Sequence, residues 1–202
     1  MKIAISGTHC VGKTTTIEAL AAALKAQGFR VEVVKESARE CPFPINEAAG
    51  PGTQMWLACY QLAKEIEAAQ RKPDFVLCDR ALPDIFAYYL YLLESAPMKE
   101  FALKSGEYSM LEGIVSRWIF TYDRIFYVRA ENIPLVADGV RSMSQEFRDF
   151  VDSRMAEFYG DRPNCKPLAG ATSERVQAIL QAIQGLPSRS LRVPAFERPV
   201  QA

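Results

Sequence analysis

A chain of 202 residues is long enough to close a substantial core within one domain. Its 24 basic and 24 acidic residues balance to a net charge of zero, so nothing in the charge asks for a polyanion, and no nucleic-acid partner is expected. Five scattered cysteines without a C-x-x-C pair argue against a disulfide framework or a zinc site and point to reduced thiols in a cytoplasmic protein.

Along the chain, Lys2 to Ser6 predicts a buried strand and Lys13 to Ala26 a helix closed by Gly28. Between them lies Gly7-Thr8-His9-Cys10-Val11-Gly12-Lys13-Thr14-Thr15, which matches G-x-x-x-x-G-K-[ST], the phosphate-binding loop of nucleoside-triphosphate proteins. Glycines at positions 7 and 12 let successive N–H groups turn inward around a phosphate. Lys13 is then expected to reach the β and γ phosphates of a nucleoside triphosphate, and Thr14 to offer its hydroxyl to Mg²⁺. His9 occupies a variable position of the loop and reads as filler rather than as a catalytic imidazole.

Phe29 to Val34 alternates as a second strand. Residues 35–53 hold Pro42, Pro44, Gly50, Pro51 and Gly52 and predict a long loop, a kind that is more often functional than idle. A helix over 54–71 and a strand over Phe75 to Cys78 follow, the strand running into Asp79-Arg80. Ile85 to Leu93 predicts an apolar helix, 94–109 a partly helical insertion, Met110 to Phe120 a helix and Arg124 to Val128 a strand. After the Asp138-Gly139 turn come a charged helix over Ser144 to Phe158, a short strand over Cys165 to Leu168, and a helix over Ser173 to Gln184 that lacks a capping-box acid. The domain therefore spans 1–185, and 186–202 is a Pro- and Arg-containing tail. No apolar run approaches the roughly 20 residues of a membrane helix, and the chain opens on a strand instead of a signal peptide.

Ligands of open α/β sheets lie beyond the carboxyl ends of the strands. Asp79 therefore becomes a metal-side carboxylate, with a helix N-cap as the alternative use. Glu36, at the end of the second strand, is the best-placed carboxylate to orient or deprotonate an acceptor hydroxyl. Phosphoryl transfer depends on charge neutralisation, which singles out Arg80, Arg141 and Arg148; the last two share a face if both are helical.

This order of motifs resembles the P-loop nucleoside and nucleotide kinases: a phosphate loop, a Glu-bearing segment (Lys35 to Glu40), Asp79-Arg80, and a lid around Asp138-Gly139-Val140-Arg141. Thymidylate kinases share it, and the nearer likeness is to the group of ribosylnicotinamide kinase, through the D-R-x-x-x-D segment from Asp79 to Asp84. The resemblance implies a three-layer α/β sandwich whose five-stranded, mainly parallel sheet runs in the order 2-3-1-4-5, flanked by helices and carrying a small helical lid at about 131–148. It implies ATP and Mg²⁺ as cofactors and a small-molecule phosphate acceptor, namely a nucleoside, nucleotide or riboside, in a protein able to act as a homodimer. Glu36 would hold the acceptor, Arg80 would clamp it, Arg141 and Arg148 would close over the donor phosphates, and Gly170, within 169–172, would lie against adenine. The rival class is a regulatory NTPase switch; N-K-x-D and D-x-x-G, which a GTPase of that kind carries, are both missing.

Overall fold

The computed structural model describes residues 1–94, 96–131, 133–135 and 142–184. Five strands, β1 (Lys2–Ser6), β2 (Val31–Val34), β3 (Phe75–Asp79), β4 (Arg124–Tyr127) and β5 (Cys165–Pro167), form one sheet in the order β2-β3-β1-β4-β5. Every pairing is parallel, with Ile5 opposite Asp79 on one side and Phe126 on the other. The sheet is thus wholly parallel where a mainly parallel one was expected. Its order brings the ends of β1 and β3 side by side, which sets the phosphate loop next to Asp79.

Side chains of a strand alternate between faces, and here each face has its own core. Ile3, Ile5, Phe75, Leu77, Phe126 and Val128 pack on α1 (Lys13–Ala26) and α7 (Thr172–Ile183). Ala4, Val76, Cys78, Ile125 and Tyr127 point the other way, mainly onto α6 (Gln145–Tyr159). A third apolar cluster joins α2 (Pro51–Gln70), α3 (Leu82–Leu92), α4 (Ala96–Ser105) and α5 (Glu107–Trp118). Double-sided burial explains why these strands read as continuous apolar runs.

Several boundaries move from their expected positions. Helix α2 begins at Pro51, because proline's fixed φ suits the first helical position and Gly50 caps it in an extended conformation. The segment before it is not wholly irregular, since single 3₁₀ turns occupy Ser37–Glu40 and Asn46–Ala48. The insertion at 94–109 resolves into α4 and the start of α5, separated at Gly106, whose φ is 73°. Helix α7 starts at Thr172 and does have an acid that caps it: Glu174 accepts the Ala171 N–H at 2.7 Å. The sequence reading missed that acid by placing the helix start one residue late.

Of the lid, residues 132 and 136–141 lie outside the described residues, so Arg141 and the Asp138-Gly139 turn do too, as does the 186–202 tail. Residues 142–144 are not helical and α6 begins at Gln145. The expectation that Arg141 and Arg148 share a face if both are helical involves Arg141, which lies outside the described residues. No helix among the described residues is long and apolar enough to cross a membrane.

Candidate nucleotide site

The phosphate loop leaves β1 at Ser6 and enters α1 at Lys13. Gly7 has φ 141°, and a Cβ there would stand 2.6 Å from the Val128 carbonyl oxygen, so the close approach of the loop to β4 requires glycine. Gly12 has φ 79°, and its carbonyl accepts the Thr16 N–H at 3.1 Å and the Thr16 hydroxyl at 2.9 Å, which anchors the first turn of α1. Cys10 also takes a left-handed φ of 62°. Val11 is buried beneath the loop, whereas Thr14 and Thr15 are exposed at the helix start, where N–H groups and the helix dipole favour a phosphate.

Lys13 is buried and donates to the Thr8 carbonyl at 2.7 Å. Burial, reinforced by the positive charge of Arg80, lowers its pKa to about 8, although Glu36, Asp79 and Asp84 pull the other way. An ammonium in that setting gains much from an incoming polyphosphate, because it lacks water to replace. The exposed Thr14 hydroxyl donates to Asp79 Oδ2 at 2.5 Å. Asp79 Oδ1 is buried with no hydrogen-bond partner among the described residues. A buried carboxylate oxygen left open beside a threonine hydroxyl suits a hard, oxygen-seeking cation. Thr14 and Asp79 are the residues that would hold Mg²⁺, where it would offset phosphate charge.

Asp84, from the first turn of α3, braces the loop from below. It accepts the hydroxyl of Ser6, the Tyr159 hydroxyl at 2.6 Å and the Gly7 N–H at 3.4 Å. Burial raises its pKa, with Arg80 and the two hydroxyls opposing. Tyr88, one turn further along α3, accepts the His9 N–H at 3.1 Å and lies 3.3 Å from the Thr8 hydroxyl. The His9 ring is buried between Tyr88 and Phe147, whose ring it stacks on at 5.9 Å. The sequence reading assigned no role to Asp84 or Tyr88. The D-R-x-x-x-D spacing held the signal for Asp84, while Tyr88 looked like one of several aromatic core residues.

Arg80 follows β3 with φ 97°, an unusual value for a side chain of this size. Its Nε donates to Glu36 Oε1 at 2.6 Å, and Nη1 donates to the Gly7 carbonyl at 3.2 Å. Burial works against its charge, but Glu36, Tyr88 and Asp84 outweigh it and hold the guanidinium well above its ordinary pKa. Glu36 and Arg80, 44 residues apart, are thus joined as a nearly buried ion pair beside the phosphate loop.

Glu36 and Arg39 line two cavities. One is a cleft of about 540 Å³ that includes Thr14, Asp79 and Tyr60. The other is a pocket with about 50 Å³ of free space, lined by His9, Arg80, Gln54, Leu57, Ile85 and Tyr88 among others. Gln54 is only 4% exposed, and its amide makes no hydrogen bond among the described residues. Nothing in the local sequence distinguishes Gln54 from an ordinary helical glutamine.

The other sequence-predicted residues lie elsewhere. Arg148 is buried, and its Nη2 donates to the carbonyls of Ala130, at 2.6 Å, and Ile133. Its guanidinium pins the segment that follows β4. Gly170 forms a turn with φ 87°, and a Cβ there would collide with the Glu174 carboxylate.

A family model described as an AAA domain matches residues 2–169. A search of curated proteins finds no match. The matched span takes in all five strands, the phosphate loop, Glu36, Asp79-Arg80 and α6. With the parallel sheet and the glycine-dependent loop, it shows that the chain belongs to the AAA domain family, whose P-loop NTPase-type architecture binds nucleotide.

Proposed function

We propose that the protein is an ATP- and Mg²⁺-dependent phosphotransferase acting on the hydroxyl of a small metabolite: a nucleoside, a nucleotide or a related riboside. The observation that carries this reading is the position of Glu36, which lines both the cleft of Thr14 and Asp79 and the pocket beside Arg80. A switch NTPase needs room for a water molecule. The second pocket sets Leu57 and Ile85 beside the Glu36–Arg80 ion pair and Gln54, the mixture of apolar and polar contacts that holds an organic group, and its free space of about 50 Å³ has to widen to admit a whole riboside.

In this reading the acceptor hydroxyl oxygen attacks the γ-phosphorus while its proton passes to Glu36. The bond from the γ-phosphorus to the β–γ bridging oxygen breaks, and ADP leaves. Lys13 neutralises charge on the departing phosphates, and Arg80 holds Glu36 in place and faces the acceptor. Five scattered cysteines without a C-x-x-C pair suit a cytoplasmic setting.

The test is a screen of nucleosides, nucleoside monophosphates and ribosides for stimulated ADP release with Mg²⁺ and ATP. The reading expects one member of this class to accelerate release and to appear as its phosphorylated product. A single slow hydrolysis rate whatever is added would favour the regulatory switch instead.

A further inference from the structure

Helix α7 reaches the phosphate loop with a residue to which neither the motif nor the family match gives a role. Arg175 lies in the first turn of α7, just beyond the matched span, and is 7% exposed. Its Nη1 donates to the Val11 carbonyl at 2.6 Å, and a Cβ placed on Gly12 would lie 3.3 Å from the same nitrogen. Among the described residues no carboxylate pairs with it, and its Nε is buried without a partner. Desolvation alone lowers its pKa. A buried guanidinium without a counter-ion is costly, whereas Arg148 at least satisfies two carbonyls with one nitrogen.

Two features give that cost a use. The trans peptide between Val11 and Gly12 is planar, so a carbonyl held by Arg175 turns the Gly12 N–H to the opposite side. The neighbouring Glu174 fixes the turn at Gly170 and Ala171 through the Ala171 N–H. Consecutive residues of one helical turn therefore hold the phosphate loop and the 170–171 turn in fixed relation. We infer that Arg175 is a positioning residue: by holding the Val11 carbonyl it presets the phosphate loop for nucleotide, and the bound polyphosphate supplies the negative charge that its guanidinium lacks.

This inference rests on nucleotide binding at the loop and is independent of the acceptor. The experiment is titration calorimetry of the full chain with Mg²⁺-ATP and, separately, with inorganic tripolyphosphate, for wild type, Arg175→Ala, Arg175→Gln and Arg175→Lys. Thermal melts run alongside. Arg175→Ala is expected to bind both ligands roughly 10- to 100-fold more weakly, the scale of a hydrogen bond from a charged donor. Arg175→Gln, which keeps a donor without charge, should recover part of the loss, and Arg175→Lys more of it. Where turnover is measurable, the KM for ATP should rise with kcat changed by less than about threefold. Wild-type affinity for both ligands in a folded Arg175→Ala protein overturns the inference. So does a loss of melting temperature in all three variants with affinity unchanged, which would make Arg175 only an anchor for α7. Should Arg175→Ala fail to fold, wild-type affinity in the Gln and Lys variants would overturn it equally.

Discussion

The two halves of the site are built in different ways. The phosphate side is one continuous stretch, Gly7 to Thr15, clamped between the ends of β1 and β4 and completed by Asp79 from the adjacent strand. The second pocket that Glu36 lines is gathered from the 36–46 segment, α2, Arg80 after β3 and α3, with His9 of the phosphate loop at its edge. Continuous chain can store geometry in glycine positions, whereas a gathered pocket stores it in packing between helices. The donor half should therefore respond to substitution through charge and phosphate affinity, and the acceptor half through substrate affinity and proton transfer.

The largest expected effect lies on the donor side. Lys13→Ala should lower turnover by about 10³-fold, the scale of losing a preorganised transition-state donor. The fold should survive, because among the described residues the Lys13 ammonium donates to a single loop carbonyl; near-normal turnover in a steady-state assay would remove Lys13 from the mechanism. Next comes Glu36→Gln, predicted to cut kcat by about 10²-fold, in the range of general base catalysis, with little change in ATP affinity. An unchanged kcat would leave Glu36 as a structural partner of Arg80, and a parallel loss of ATP affinity would erase the division between the halves.

Asp79→Asn should raise the Mg²⁺ concentration needed for half-maximal activity, by about 10-fold, as loss of a ligand-shell carboxylate does. A Mg²⁺ titration that superimposes on wild type would leave Asp79 only as the acceptor of the Thr14 hydroxyl, since the N-cap of α3 is Ala81 and not Asp79. Smallest is Gln54→Ala, expected to raise the KM for the acceptor about 5- to 10-fold, the value of one ordinary hydrogen bond, with the KM for ATP unmoved. The opposite pattern would place the Gln54 amide on the nucleotide instead.

Much of the framework was legible beforehand because its signals are local. Apolar runs such as Ile3 to Ile5 and Phe75 to Cys78 mark strands buried on both faces. Gly28, at φ 86°, marks the end of α1. Boundaries failed where two local signals competed. Pro51 read as a breaker although it starts α2 at the position where proline is favoured. Arg148 shows what spacing does not reveal: the carbonyls of Ala130 and Ile133, more than a dozen residues away, accept from its guanidinium.

Local chain chemistry is enough to establish the phosphate loop, the strands and helices around it, and the Asp79-Arg80 pair at a strand end. These depend on φ preferences and periodicity that a few consecutive residues express by themselves. Tertiary packing alone decides that Glu36 meets Arg80, that Gln54 faces a pocket with its amide unsatisfied, and that Arg175 holds the Val11 carbonyl. Those pairings span 44 residues in one case and 164 in another. They are set by how helices pack on a twisted parallel sheet, a geometry that no short stretch of the chain contains.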